Sequence, residues 1–385
     1  MTQVIFTERC DYMKVVAAID SFKGSMTSME AGNAVKKGIL AAKPDAEVVV
    51  NPLADGGEGT VDALIEGLGA KKIPVTVTGP LGEKVSCYYG FLEETKSAVM
   101  EMASAAGITL VTKKDPLRAS TYGVGEMIAD ALKRGCKNFM IGIGGSATND
   151  GGIGMLKALG FEFFDEDGND VGEGAAALAK IEVIRTENKN PLLSGAKFQI
   201  ACDVKNPLCG KQGATYIFGP QKGVTEEQKE QVDEAMRHYA DVTKESLDCD
   251  FADCEGAGAA GGLGYAFLSY LAGELIPGVE LILQATGLEE KMKNADVVVT
   301  GEGRLDAQTV MGKAPAGVAA LAKKYNAKVI AFAGSVAPEA KVCNRAGIDA
   351  FFPIVRGVTT LEEAMKKENA MENIAATAEQ VFRLL

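Results

Sequence analysis

Both ends of the chain contain short apolar runs that alternate with amphipathic segments. The runs "KVVAAID", "EVVVN", "ADVVVT", "AKVIAFAG" and "IDAFFPIV" have the length and β-branched content of strands. Thr27 and Glu30 have the spacing of a helix capping box, and the residues from Ala31 to Ala42 repeat apolar side chains at helical intervals. Continuous apolar strands separated by helices are typical of a parallel sheet that helices cover on both faces.

The middle of the chain follows a different pattern. From about Ile73, "PVTVTG" and "KVSCYYGFL" alternate around the turn signal Pro80, Leu81, Gly82, as antiparallel strands do. Glycine-rich loops, the strands "NFMIGIGG" and "FQIACDV", and a charged helix from Thr225 to about Lys244 follow. We therefore predict a two-domain α/β chain, in which residues 1–78 and 286–385 form a discontinuous parallel-sheet domain and residues 79–285 form an inserted mixed α/β domain.

Composition excludes some classes of function. The chain has 385 residues, 47% of them hydrophobic, which is enough to bury a core in two or three domains. Its formal net charge of -12 argues against nucleic-acid binding, since such proteins carry a basic face. An anionic ligand must therefore meet local basic side chains, helix N-termini or a metal ion.

Targeting signals are missing from the pattern. We find no signal peptide and no run of about eighteen apolar residues, so we expect a soluble, cytoplasmic protein without a membrane partner. The eight cysteines form no CxxC pair, and we interpret them as reduced, mostly buried thiols. Residues 1–12 precede the first strand and are either a leader from an alternative start or an ordered extension.

Three polar clusters follow predicted parallel strands. They are Asp20, Ser21 and Lys23; Asp55 and Glu58; and Glu302, Arg304 and Asp306. Open α/β sheets bind ligands at the carboxyl ends of their strands, and each of these loops leads into a helix N-terminus that suits phosphate or carboxylate. The alternative is that such turns need Asp, Ser and Gly for capping and tight geometry.

The stretch "GIGGSATNDGGIG", residues 142–154, lies between a strand and a helix. Its candidate phosphate-binding residues are Gly144, Gly145, Ser146, Asn149, Gly151 and Gly152, because amides without bulky side chains can approach a polyphosphate. It matches neither a Walker A loop nor GxGxxG, so a packing loop is the alternative. Asn149 and Asp150 can hold Mg²⁺ or close an Asx turn.

Asp203 ends a predicted strand and is the candidate general base. We interpret the following stretch, through "CGKQGATYIFGPQKG", as turn and loop that adds glycine with Lys205, Lys211 and Lys222. The alternative for Asp203 is a structural cap of the turn before Pro207. His238 is the only histidine and lies in a charged helix, so multi-histidine metal sites are impossible and a catalytic triad is not expected.

Seven motifs in order carry a resemblance to a known family. They are "DSFKGS", "PLADGGEGT", "GIGGSATNDGG", "ACDVKNPL", "FGPQKG", "GAGAAGGLG" and "TGEGRLDAQT". They resemble the motifs of the bacterial type I glycerate kinases, and the resemblance runs from Met13 to the C-terminus. It implies a flavodoxin-like domain split by an insertion, and ATP- and Mg²⁺-dependent phosphorylation of D-glycerate to 2- or 3-phosphoglycerate in a cleft between the domains.

The resemblance also implies which residues form the site. The family's motif residues correspond to Asp20, Lys23, Asp55, Glu58, Asp150, Asp203, Glu302, Arg304 and Asp306. Phosphoryl transfer needs amide-rich loops, Mg²⁺ carboxylates and one base. We expect Asp203 as the base, with Asp20, Asp55 and Glu58 as competitors, and Lys23 or Arg304 as the partner of the glycerate carboxylate. Glu302, Asp306 and Asp150 are the candidate metal ligands.

Two other classes remain as alternatives. An NAD-dependent oxidoreductase needs an acidic residue about twenty positions beyond a GxGxxG fingerprint. Glu162 lies at about that distance from "GIGG", but the glycine spacing before it is wrong. A small-molecule binding protein that catalyses no reaction does not need so many carboxylates near one anionic ligand. ADP release with D-glycerate distinguishes the three classes.

Overall fold

The structure is a computed structural model, and it describes residues 12–54 and 60–385. The strands are β1 (Lys14–Ile19), β2 (Glu47–Pro52), β3 (Lys71–Thr78), β4 (Lys84–Leu92), β5 (Ser97–Glu101), β6 (Asn138–Gly142), β7 (Glu162–Phe164), β8 (Val183–Arg185), β9 (Lys197–Ala201), β10 (Glu274–Ile276), β11 (Val297–Leu305), β12 (Lys328–Val336) and β13 (Ala350–Pro353). The α-helices are α1 (Ser28–Ala42), α2 (Thr60–Leu68), α3 (Ala103–Ala106), α4 (Tyr122–Lys133), α5 (Ile153–Ala158), α6 (Ala175–Leu178), α7 (Ala214–Lys222), α8 (Lys229–Leu247), α9 (Leu263–Leu271), α10 (Gly278–Ala285), α11 (Leu288–Met292), α12 (Ala314–Lys323), α13 (Val342–Arg345), α14 (Leu361–Met365) and α15 (Lys367–Phe382). Short 3₁₀ turns occupy Ile108–Leu110, Pro191–Leu193, Glu226–Gln228, Ala259–Gly261, Ala307–Val310 and Pro338–Lys341.

The chain divides into two units. Unit 1 has the described residues of Met1–Ala54 and Leu283–Leu385, and unit 2 has those of Asp55–Ile282. Both chain ends therefore build unit 1, and the middle of the chain builds unit 2. This arrangement confirms the α/β class with two domains that the hydrophobic pattern predicts.

Unit 1 contains a five-stranded parallel sheet in the order β13-β12-β11-β1-β2. Renumbered within this unit, the order is 2-1-3-4-5, which is that of flavodoxin-like doubly wound sheets. The central strands are buried: every residue of β1 from Val15 to Ile19 has no exposed surface. One face of the sheet packs on α1 and α15, and at Gly38 a side chain on α1 would overlap the carbonyl oxygen of Ala375 in α15.

Unit 2 contains a mixed six-stranded sheet in the order β10-β9-β6-β5-β4-β3. The strands β3, β4 and β5 pair antiparallel, as the alternating pattern predicts, while β5, β6, β9 and β10 pair parallel. A large apolar core joins this sheet to α4, α5, α8 and α9. The carboxyl ends of β6 and β9 lie side by side, since Gly142 pairs with Ala201.

The division between the units differs from the boundaries that the sequence analysis sets at 78/79 and 285/286. β3 pairs with β4 along its whole length, from Lys71 to Thr78, and so belongs to the sheet of unit 2. α2 also lies in unit 2, where the N–H of Val61 donates to Glu101 Oε1 at 3.0 Å. At the second crossing, the division falls within α10, between Ile282 and Leu283.

The sequence analysis makes predictions about membrane-spanning segments and about the cysteines, and both can be compared with the structure. Within residues 12–54 and 60–385, no helix is both long enough and apolar enough to cross a membrane. Seven cysteines lie in these residues and none of them forms a disulfide. Three of the seven are buried and four are half-buried, so burial is less complete than the sequence analysis expects.

Candidate functional site

The segment after β1 begins with a buried acid. Asp20 is 7% exposed, and its N–H donates to the carbonyl oxygen of Gly301 in β11 at 2.9 Å. Its Oδ1 accepts a hydrogen bond from the N–H of Ser21 at 2.7 Å. Asp20 therefore sits at the carboxyl end of the sheet in a position fixed by the backbone of two adjacent strands, as the predicted strand-end site requires.

The tip of the same loop is held by two apolar anchors. Phe22 and Met26 exchange backbone hydrogen bonds of 3.0 and 3.1 Å, and both side chains are buried in the core of unit 1. Between them the chain turns through Gly24, whose φ of 77° is unfavourable for other residues. This turn leaves Lys23 exposed at the tip of the "DSFKGS" loop.

The start of α1 ties the loop to the neighbouring strand. Thr27 and Glu30 form the predicted capping box. Ser28 Oγ donates to the carbonyl oxygen of Ile19 at 2.7 Å and accepts from the N–H of Leu53 at 2.9 Å, which joins the ends of β1 and β2. The predicted substrate residues Asp55 and Glu58 follow directly in the chain, but they lie outside the described residues.

The end of β11 differs from the prediction. The sequence analysis places Glu302 and Arg304 in the loop after the strand, whereas β11 continues to Leu305, which pairs with Val336 of β12. Glu302 and Arg304 are therefore strand residues, and of this cluster only Asp306 follows the strand. The long pairing with β12 continues the strand through polar residues, which the hydrophobic pattern alone does not reveal.

Glu302 is buried, with 7% of its surface exposed, and both of its carboxylate oxygens have partners. Thr309 Oγ1 donates to Oε1 at 2.6 Å, and Lys313 Nζ donates to Oε2 at 3.2 Å. Burial raises the pKa of the Glu302 carboxyl, and the Thr309 and Lys313 interactions oppose that shift. Neither Thr309 nor Lys313 is among the predicted site residues, although both follow "GEGRLD" closely in the chain.

Asp306 and Arg304 are more accessible. Asp306 caps the turn Ala307–Val310, with Oδ1 accepting from the N–H of Gln308 at 2.9 Å, and its Oδ2 lies 3.5 Å from Arg304 Nε. The side chain of Arg304 is 68% exposed and that of Asp306 is 21% exposed. This Arg304 guanidinium can therefore take an anionic partner while it stays close to Asp306.

The candidate metal ligands divide into two groups. Asp150 is fully buried, and its oxygens accept four hydrogen bonds from Thr121 (N and Oγ1), Gly152 and Gly154 at 2.8 to 3.3 Å. Burial raises its pKa, against the effect of the Thr121 hydrogen bonds. A metal at Asp150 would have to displace these bonds, so we do not include it in the proposed metal site.

Glu302 and Asp306 form the second group. In the part of the chain that the structure describes, no three His, Cys, Asp or Glu side chains are arranged to hold a metal ion. Mg²⁺ bound with a nucleotide usually needs only one or two carboxylates, because phosphates and water supply its other ligands. Glu302 and Asp306, four residues apart at one strand end, are compatible with this mode of binding.

Unit 2 has a cavity of about 320 Å³ at the carboxyl ends of β6 and β9. Its lining comprises Ile143–Ser146 after β6, Ala201–Val204 at the end of β9, the side chains Phe218, Gln221 and Lys222 of α7, and the Ala259 and Ala260 pair. Parallel strands place ligands at this end. Beside Gly144, the space that a side chain would fill is open.

The cavity brings together only half of the predicted phosphate-binding residues. Gly144, Gly145 and Ser146 line it, so their backbone lies within reach of a ligand. Asn149 does not line it; its side chain is fully buried, and Nδ2 donates to Thr215 Oγ1 at 3.0 Å. Gly151 and Gly152 have positive φ and pack closely against α8 and α9. Backbone conformation and packing therefore explain why glycine occupies these two positions.

Asp203 lines the same cavity with an exposed side chain. Its Oδ1 also accepts from the N–H of Gly278 at 2.8 Å, at the start of α10. It thus caps a helix that is distant in sequence, a contact that the sequence analysis does not predict. The capping contact and a role toward a ligand in the cavity are compatible, because each carboxylate oxygen can accept more than one hydrogen bond.

The cavity also contains Lys222, which the sequence analysis names as a loop lysine near Asp203 but does not include among the predicted site residues. The stretch interpreted as loop contains α7, and Phe218, Gln221 and Lys222 share one face of this helix. Gly213, Gly219 and Pro220 resemble loop punctuation and conceal the helix in the sequence. Lys222 is only 2% exposed, which makes it a buried cation in the wall of the cavity.

Comparisons with known proteins agree on one family. The model described as "Glycerate kinase family" matches residues 15–385. Glycerate kinase of Bacillus subtilis (strain 168) is 44% identical over 371 residues, which cover 96% of this chain and 97% of the relative. Glycerate 2-kinase of Escherichia coli (strain K12) is 45% identical over 372 residues, covering 95% and 98%. A crystal structure from Salmonella typhimurium LT2, of a protein provisionally named glycerate kinase 2, superposes with a TM-score of 0.89 at 43% identity and covers 97% of this chain and 98% of that one.

Proposed function

The chain is an enzyme of the glycerate kinase family, and we propose that it transfers the γ-phosphoryl group of ATP to the 2-hydroxyl of D-glycerate, releasing ADP and 2-phosphoglycerate. The match over residues 15–385 carries the proposal for the reaction. The choice of the 2-hydroxyl rests on the name of the 45% identical relative, glycerate 2-kinase.

The nucleotide phosphates bind in the cavity of unit 2. The segment Ile143–Ser146 after β6 lines this cavity, and the backbone at Gly144 is open to an approaching ligand. Backbone amides that no side chain obstructs are suited to phosphate oxygens, since they supply several donors at fixed positions. The cavity's place at the carboxyl ends of two parallel strands supports the same assignment.

Glycerate binds at the strand ends of unit 1. Its carboxylate needs a cation, and Lys23 and Arg304 are exposed cations beside the ends of β1 and β11. Arg304 is suited to a bidentate pair with the carboxylate, whereas Lys23 acts as a point charge. Ser21, Asp20, Asp55 and Glu58 remain candidates for the glycerate hydroxyls, of which the last two lie outside the described residues.

The proton of the reacting hydroxyl passes to Asp203. This residue lines the nucleotide cavity, so it lies in the unit that carries the phosphoryl group. Its contact with Gly278 uses Oδ1 and fixes the side chain's orientation, which is what a positioned base requires. Asp20, a buried acid at the glycerate end, is the competing candidate.

Mg²⁺ is the expected ion, held by the phosphates, by water and by Asp306 and Glu302. When bound it supplies positive charge to the transferring phosphoryl group. Asp306 is the stronger candidate because its side chain is 21% exposed, whereas Glu302 is buried and is held by Thr309 and Lys313.

Direct transfer requires the two half-sites to meet during turnover. The acceptor hydroxyl must come within about 3 to 3.5 Å of the phosphorus for reaction. We therefore place the reaction in a cleft between the domains, as the motif resemblance implies. Exclusion of water from the closed site would limit hydrolysis of ATP.

Phosphorus NMR of the product tests the proposal and its regiochemistry. The purified chain is incubated with ATP, Mg²⁺ and D-glycerate, and the spectrum is compared with authentic 2- and 3-phosphoglycerate. We expect the 2-phosphate signal alone. A 3-phosphate signal would contradict the regiochemistry and leave the kinase assignment, whereas the absence of both would contradict the kinase assignment.

A further inference from the structure

Lys222 is a buried lysine whose ammonium group has few protein partners to offset the cost of its burial. Its Nζ donates to the carbonyl oxygen of Thr148 at 2.7 Å. Thr148 lies two residues after the segment Ile143–Ser146, which lines the cavity. Within the described residues, Thr148 is the hydrogen-bond partner of this ammonium group and Asp150 is the carboxylate whose charge acts on it, so the group keeps donor capacity for two further hydrogen bonds. A buried charge without a counterion is costly, so such a residue in a cavity wall indicates an anion that arrives later.

The surroundings favour phosphate as that anion. Lys222 and the amide-rich segment Ile143–Ser146 line the same cavity, and the remaining wall is mostly apolar, with Phe218 and Ala260. Two buried oxygens next to the Lys222 contact, Thr148 Oγ1 and Asn149 Oδ1, have no hydrogen-bond partner among the described residues. Neither residue lines the cavity, so the choice of phosphate rests on Lys222 and on the backbone of Gly144–Ser146, which do line it.

We propose that the ammonium group of Lys222 binds a phosphate oxygen of the nucleotide, as a phosphate-positioning residue that complements the amides of Gly144–Ser146. The inference rests on the proposed function only in taking a nucleotide as the ligand. The proposal assigns the cation of the phosphate site to α7. The sequence analysis, in contrast, predicts only glycine, serine and asparagine residues of the segment 142–154 as phosphate-binding residues.

Protonation follows from this arrangement. Burial lowers the pKa of Lys222 to about 7, and the charge of Asp150 opposes that shift. The other titratable groups around it are Cys202 and Asp203 in the cavity wall and Lys114, which packs on Gly223. A bound polyanion favours the charged lysine, so the nucleotide should bind together with a proton at pH 8.

The alternative role for Lys222 is structural, as a link between α7 and Thr148. Lys157 offers a matched control: its side chain is only 13% exposed and its Nζ donates to the carbonyl oxygen of Gly172 at 3.0 Å, but it does not line the cavity. Lys157 also forms ion pairs with Asp170 at 2.7 Å and Glu173 at 3.1 Å. Lys157→Met therefore removes a largely buried lysine with at least as many structural contacts as Lys222, without touching the proposed phosphate site.

Calorimetric titration with ADP and Mg²⁺, without glycerate, is the direct test. We expect Lys222→Met to raise the Kd for ADP about 10- to 100-fold, the effect of losing a charge-assisted hydrogen bond, and Lys157→Met to leave it within about twofold. An unchanged Kd in a folded Lys222→Met variant would overturn the proposal. An unchanged Kd with a lower kcat would also overturn it, and would point to proton transfer instead.

A second measurement needs no variant and decides the matter if Lys222→Met fails to fold. Titrations of the wild-type chain at pH 8 in buffers of different ionisation enthalpy report protons taken up on binding. At this pH the ADP phosphates hold almost no proton, since the second phosphate pKa is about 6. We expect uptake of more than about half a proton per ADP. Zero uptake together with an unfolded variant would contradict the proposal.

These results remain separable from the proposed function. If the wild-type chain binds ADP but does not phosphorylate glycerate, the function fails and the Lys222 test is still decided by the ADP titrations. If the wild-type chain binds no ADP, the Lys222 proposal fails with its ligand.

Discussion

The two units hold their candidate charges in different ways. In unit 1, Lys23 and Arg304 are exposed at the ends of strands. In unit 2, Lys222 and Asp150 are almost fully buried, whereas Asp203 is exposed. Exposed cations can change partner when a small acid binds, whereas buried groups keep one position for which the folded chain bears the desolvation cost. The comparison suggests an adaptable acceptor site and a preformed phosphate site.

The largest effect is expected for the base. Asp203→Asn keeps an oxygen that can accept from Gly278, so the cap of α10 survives while basicity is lost. We expect kcat to fall about 10²- to 10⁴-fold with little change in the KM for glycerate. Asp233→Asn is the control, because Asp233 also accepts a backbone hydrogen bond, from Gly210 at 2.9 Å, but lies outside the cavity lining.

The outcome for Asp203 decides which unit supplies the base. If Asp203→Asn keeps more than about a third of wild-type turnover, the loss is far below the range expected for a base. Asp203 is then a helix cap only, and Asp20→Asn becomes the variant to measure.

A smaller effect is expected at the acceptor site. Lys23→Ala removes the exposed cation of the β1 loop, and loss of a charge-assisted hydrogen bond costs about 1.5 to 3 kcal/mol. The KM for glycerate should therefore rise about 10- to 100-fold while the KM for ATP stays near the wild-type value. Lys37→Ala, which removes an exposed lysine of α1, is the control. Unchanged KM values and kcat would make Lys23 an ordinary surface residue.

The metal site should respond more weakly. In Asp306→Asn the side-chain oxygen still caps the turn at Gln308, because Asn is a good capping residue, but the negative charge is gone. We expect a several-fold rise in the Mg²⁺ concentration that gives half-maximal rate. Asp165→Asn, which alters a capping carboxylate of a turn in unit 2, should not shift this value. An identical Mg²⁺ titration for both variants would move the metal away from Asp306.

The last effect concerns stability and pH rather than turnover. The pKa of Lys222 is about 7 in the folded chain and about 10.4 when unfolded, so between these values the unfolded chain binds more protons. The stability contribution of Lys222 is thus greatest at high pH and is lost as pH falls through about 7. Urea unfolding should show that the stability of the wild type relative to Lys222→Met increases from pH 6 to pH 9. A pH-independent difference would contradict this assignment of the Lys222 pKa.

The sequence predicts the fold better than it predicts the site. Buried β-branched runs such as the one in β1 identify parallel strands because they need no partner information. The extension of β11 through Glu302 and Arg304 depends on pairing with β12, and α7 is concealed by Gly213 and Pro220. Burial of Asp150 and Lys222 results from tertiary packing, so their roles are not readable from local sequence.

The initial rate of ADP release tests the central claim most directly. With ATP, Mg²⁺ and the wild-type chain, we expect a rate that rises with D-glycerate concentration and saturates, and a negligible rate without glycerate. A saturable dependence on glycerate would support the assignment of an ATP-dependent glycerate kinase. No glycerate-dependent ADP release at any concentration, from a folded chain that binds ADP, would contradict it.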